Sequence, residues 1–133
     1  MIDVETDVFS AVASQLRSEY LGIYVASVKK RIPSFFPAVQ IVERSNVVAS
    51  DTSDSGDIEN HADLMYEVEV YSNKTSGAKL EAKEIMGFVD ACFKELGFKR
   101  QFCEPVENSD SSVYRYLARF IGRASKNKVI YQR

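Results

Sequence analysis

ADLMYEVEVYS, residues 62–72, alternates Tyr66, Val68 and Val70 with Glu67 and Glu69. That period of two marks a half-buried strand. AVQIVERSNVV, residues 38–48, is a second apolar stretch rich in β-branched residues. Only the polar segment between them, running from Ala49 to His61, separates the two. So short a connection cannot carry a crossover helix, and the strands are expected to pair antiparallel as a hairpin. Its tip, about residues 49–62, is expected to be mobile and kept soluble by charge.

Outward from the hairpin, helical spacing takes over. Val4, Val8, Val12 and Leu16 recur every four positions, with Phe9 and Ala13 beside them, which predicts an amphipathic helix from Asp3 to about Glu19 with Asp3 as its N-cap. Leu21-Gly22 breaks it, IYVAS (residues 23–27) reads as a short strand, and Pro33 and Pro37 prevent regular pairing in KKRIPSFFP. After the hairpin a second helix is expected from about Ser76 to Leu96. Ala78, Ala82, Ile85, Met86, Val89, Phe93 and Leu96 form its apolar face, and Gly97 stands where a left-handed C-terminal cap belongs. A strand near 98–103, a turn through PVENSDSS and a long strand from Val113 to Arg123 complete the chain. On that last strand Tyr114, Tyr116, Ala118 and Phe120 share one face, and Arg115, Leu117, Arg119 and Ile121 the other. The order α-β-β-β-α-β-β predicts a two-layer α+β domain over residues 1–133: an antiparallel sheet of about four to five strands with two helices packed on one face. The uncovered face must then be polar or in contact with a partner. A basic C-terminal tail, about residues 124–133, follows the last strand.

Bulk properties narrow the function. The chain of 133 residues carries 17 basic and 19 acidic side chains, a net charge of −2, which argues against a general nucleic-acid binder. No apolar run approaches the roughly 18 residues needed to cross a bilayer. The polar, acidic start MIDVETDVF lacks the pattern of a signal peptide, so a cytoplasmic origin is expected. Cys92 and Cys103 are the only cysteines and are expected to be reduced, Cys92 packing beside the apolar face of the second helix.

No constellation of catalytic residues emerges. Asp51 to Asp63 approaches a calcium loop, with Asp51, Ser53 and Ser55 at alternate positions, then Gly56, Ile58 and Glu59. The place for the bidentate glutamate holds Ala62, however, and the flanks read as strands where helices are required. His61 is the only histidine, and no glycine-rich phosphate loop occurs. Glu67 and Glu69, two residues apart on a strand, read as sharing a solvent face. No enzyme, cofactor or metal site is expected.

Charge is placed unevenly. Asp51 to Asp63 holds five acids and no Lys or Arg, whereas Arg115 to Arg133 holds Arg115, Arg119, Arg123, Lys126, Lys128 and Arg133 and no acid. Opposite charges at two places suit a head-to-tail contact between identical copies. From composition alone, the simpler reading is that both are solvated.

RIPSFFPAVQIVE, IENHADLMYEVEVYSNKTSGAKLEAKEIMGFVDACFKELGFKR and NSDSSVYRYLARF together resemble the tail terminator (tail completion) proteins of long-tailed bacteriophages, in versions carried by phages and prophages of Gram-positive hosts. The similarity spans about residues 1–123. It implies a homo-oligomeric ring, a hexamer in that family, that caps the tail tube, ends its polymerisation and presents a surface for the head connector. It also implies a place at the tail–head junction of the virion after synthesis in the host cytoplasm, with genomic DNA passing through the lumen without specific binding. On this reading Arg115, Arg119 and Arg123 are candidates for pairing with a neighbouring subunit's acids. Asp51, Asp54, Asp57 and Glu59 are candidates for contact with tube or connector, or for an acidic lining that keeps DNA from sticking. The alternatives are a head-closure or neck protein of the same particle, a non-viral cytosolic adaptor module, and a calcium-dependent binding domain.

Overall fold

The computed structural model describes residues 1–29, 33–52, 59–107 and 110–131. Helix α1 (Glu5–Glu19) buries Val8, Val12, Ala13 and Leu16, the stripe that the spacing marks out. It begins later than expected. Val4 holds the cap position, and Asp3 accepts the Glu5 amide through Oδ1 at 3.1 Å from one residue further out. After Gly22, whose φ of +80° turns the chain, comes strand β1 (Tyr24–Ala26).

β1 pairs parallel with β2 (Ala38–Val48), Val25 opposite Val39, so the sheet is mixed where an antiparallel one was expected. The intervening residues return the chain to the end of the sheet from which β1 set out. Among the described residues of that connection, 27–29 and 33–37, there is no helix. β2 and β3 (His61–Ser72) form the expected antiparallel hairpin, from Ala38 opposite Tyr71 to Val48 opposite Ala62, with a bulge at Arg44. A short 3-10 turn, Ser50–Thr52, leaves β2.

Helix α2 (Ala78–Leu96) ends at Gly97, whose φ of +103° is the left-handed cap predicted for it; the Gly97 amide donates to Lys94 and the Phe98 amide to Phe93. β4 (Lys99–Val106) runs past residue 103 and contains Pro105, which an edge strand tolerates because no partner asks for its missing N–H. β5 (Tyr114–Ser125) lies between β3 and β4. The basic tail supplies a further short strand, β6 (Ile130–Tyr131), which pairs with the end of β5. Its turn is held by Ser125, whose Oγ accepts the amides of Asn127 and Val129, and by Lys128 at φ 63°. The six-stranded sheet runs β1-β2-β3-β5-β4, with β6 beside β5.

Both helices cover one face of this sheet. There Val68, Val70, Ala118, Phe120, Tyr66 and Leu64 meet Val12, Leu16, Ile85, Met86, Val89 and Phe93, all nearly inaccessible to water. The aromatic centre is ordered by geometry: Phe93 stacks on Phe120 at 4.4 Å, while Phe98 stands edge-on to Tyr66 and Phe93 at 5.3 and 5.4 Å. Gly122 makes room for Phe98, since a Cβ there would lie 2.7 Å from its ring. Each large side chain so buried contributes roughly 1.5–3 kcal/mol.

Candidate functional site

The alternate residues of the same strands point away from the helices, and among the described residues no helix covers them. β3 presents Asp63, Met65, Glu67, Glu69 and Tyr71; β5 presents Arg115, Leu117, Arg119, Ile121 and Arg123. Register sets Glu67 directly opposite Arg119 and Asp63 directly opposite Arg123. The three candidate arginines therefore lie in one row, facing a row of acids on the neighbouring strand of their own chain.

Each arginine is engaged. Arg115 donates from Nε and Nη2 to Glu69 Oε2 at 3.1 and 2.6 Å, while Lys29 Nζ lies 3.2 Å from the other oxygen. Arg119 donates from Nε and Nη2 to Glu67 Oε2 at 3.2 and 2.8 Å, and the bulge turns Arg44 to within 3.3 Å of Oε1. Arg123 bridges two acids, reaching Asp63 at 2.8 Å and Asp51 at 3.2 Å. Arg115 also lies over the Tyr71 ring at 5.3 Å and Arg119 over Phe102 at 5.0 Å. Glu67 and Glu69 thus share a face, as expected, but do not simply face solvent: the Glu69 side chain is only 8% exposed. Arg123 thus joins the acidic and basic regions of the sequence within one chain, while Arg115 and Arg119 pair with acids outside the acidic region.

The protonation behaviour follows from these contacts. Burial pushes the Glu69 carboxyl up, but the hydrogen bonds and charges of Arg115 and Lys29 outweigh it, and the group sits below the ordinary glutamate value. Hydrogen bonds that Arg123 donates to Asp63 and Asp51 hold it more firmly protonated than usual, and the bond lowers Asp51 in return. Burial, the Glu69 charge and a hydrogen bond push the Tyr71 phenol up to about 12.

Of the acidic candidates, Asp51 is an Arg123 partner, and Glu59 Oε1 lies 3.5 Å from the Met1 amine. Asp54 and Asp57 lie outside the described residues, as do Ser53, Ser55, Gly56 and Ile58 of the calcium-like pattern; the elements flanking it are strands. Asp3, Glu5 and Glu43 bring three acidic oxygens within 4.8 Å of one another, a cluster the sequence did not reveal because the hairpin supplies Glu43. Buried Tyr66 donates to Glu43 Oε1 at 3.0 Å, and burial holds the Glu43 carboxyl above its usual range despite that bond. Cys92 is buried on α2 and Cys103 half-buried on β4; both are free thiols raised by burial, which disfavours the nucleophilic thiolate. His61 opens β3.

The uncovered face is not purely polar. Val42, Met65, Leu117, Ile121 and Phe102 surround the Glu67–Arg119 pair, all partly exposed. A shallow recess of about 220 Å³ opens between Ser45, Val47, Asp63, Met65 and Ile121. Arginine, an aromatic ring, Met and aliphatic side chains lie together here, residue types that are enriched at protein–protein contacts. No described helix is long and apolar enough to cross a membrane. A scan against models of known protein families and a search of curated proteins each find no match for this chain.

Proposed function

We propose that this chain is a structural subunit of the tail terminator kind, a ring that caps the tube of a long-tailed phage, ends its growth and offers the head connector a seat. The observation that carries the proposal is the uncovered sheet face, where arginines, acids and apolar side chains lie together with the charges already compensated. Burying a charge that keeps its partner costs far less than burying one that must find a new partner. Such a face can be covered by another protein without a large desolvation penalty. The resemblance of residues 1–123 to tail terminators supplies the kind of assembly, and with it the tail tube and connector as partners and the virion as location.

The test is deletion of the gene from its phage or prophage and electron microscopy of the lysate. Overlong tails without heads are the expected result. Tails of normal length lying beside unjoined heads would move the protein to the neck, and intact particles would overturn the structural role.

A further inference from the structure

We infer that the uncovered sheet face is one half of a head-to-tail contact between copies of this chain, and that the other half is the solvent side of α2 around Leu80. The inference rests on the ring reading above and names the surfaces such a ring would use.

The edges of the sheet are poorly suited to joining copies strand to strand. β1 has three residues, and β4 is interrupted by a bulge between Arg100 and Phe102 and by Pro105, which offers no N–H. The face is better suited. Its four longer strands, about 4.8 Å apart and rising about 3.3 Å per residue, span roughly 20 by 35 Å, or about 700 Å². That is close to the ~800 Å² each partner contributes to a standard interface.

Charge excludes other occupants. The arginines that could grip a polyanion or an anionic membrane are held by Glu69, Glu67, Asp63 and Asp51. A surface whose arginines are already held by acids of the same chain, with apolar side chains between, suits a partner bringing an apolar side chain. The chain itself carries several exposed apolar side chains, and one of them lies on the far side of the sheet from this face. Leu80, in the first turn of α2, is 74% exposed, and α2 lies across β3 and β5 on the opposite side of the sheet. The recess beside Met65 and Ile121 is a place for such a side chain. Face and knob thus lie on opposite sides of one subunit, the arrangement that continues from copy to copy and closes if the rotation allows.

Sedimentation of the full chain over a concentration series tests this with Ile121→Asp on the face and Leu80→Asp on α2. Leu80 is exposed and Ile121 partly so, and thermal midpoints identify a variant that loses its fold; Val42→Asp replaces Ile121→Asp if the latter unfolds. The parent should associate, and each variant should weaken association at least about 100-fold, the scale of an unpaired charge at an interface centre. Mixed together, the two variants should form a pair, because the mixture retains one intact face and one intact knob. Association of Ile121→Asp at parental strength overturns the assignment of the face, and of Leu80→Asp the assignment of the knob. A parent that stays monomeric throughout overturns self-association through this face, whereas the gene-deletion result stands or falls separately. A parent that stops at a dimer which Ile121→Asp breaks and Leu80→Asp leaves intact overturns the head-to-tail contact and the ring with it.

Discussion

The two faces of one sheet are built from the same strands by opposite chemistry. Facing the helices, Tyr66, Val68, Val70, Ala118 and Phe120 are closed off from water and fixed by ring packing. One residue along, Glu67, Glu69, Arg115 and Arg119 stand largely but not fully covered and are fixed by ion pairs. The first face holds the domain together through non-directional burial. The second uses directional, register-dependent bonds, which add specificity more than net stability because desolvation offsets much of their Coulomb gain. On the proposed reading, an alternation of two residues divides folding from association.

The comparison breaks most visibly under truncation. Phe93→Ala, in the stacked aromatic centre, should cost about 4 kcal/mol, whereas Met65→Ala on the other face should stay within about 1 kcal/mol in urea unfolding. Arg115→Ala is the sharpest test of the ionic face. It leaves nearly buried Glu69 with Lys29 alone, and a loss of about 3 kcal/mol is expected. A loss below about 1 kcal/mol would mean that the pair is no more than a surface bridge. Gly122→Ala drives a methyl into the Phe98 ring, which Tyr66 and Phe93 hold in place, and should cost about 2 kcal/mol.

The smallest effect is a difference in pH dependence. Glu69, lowered in the fold, contributes stability that is complete above the ordinary glutamate value of 4.5 and disappears as pH falls through its lower folded value. Glu43, raised in the fold, has the opposite sign: its contribution is present below 4.5 and disappears as pH rises through the raised value. Glu43→Gln should therefore flatten stability just above pH 4.5 and leave the acid limb unchanged, as read from thermal midpoints across a pH series.

Much of this division was legible beforehand. Period two in residues 62–72, the apolar stripe of α2 with Gly97 behind it, and the two faces of the last strand are local patterns, and local patterns survive in a single sequence. What escaped depends on pairing between distant segments. IYVAS announces a strand but not its direction, which is set by where the chain returns after residue 27. β6 depends on a turn tied by Ser125 and has almost no apolar pattern of its own. The arginine–acid pairs join residues 52 and 60 positions apart, so their sequence neighbours say nothing about them. A signal was present nonetheless: Glu67 and Glu69 face outward on one strand, and Arg115 and Arg119 outward on another. Placing those strands side by side turns two charged rows into one ladder. The fate of Asp54 and Asp57 lies outside the described residues.

The central claim, that one face folds the chain and the other joins copies, is tested most directly by oxidative labelling of methionines in dilute and in assembled protein. Met65 lies on the uncovered face and Met86 is 2% exposed in the core, so each chain carries its own reference. The account predicts that assembly lowers Met65 oxidation several-fold while Met86 stays low in both states. Equal oxidation of Met65 before and after assembly would contradict it.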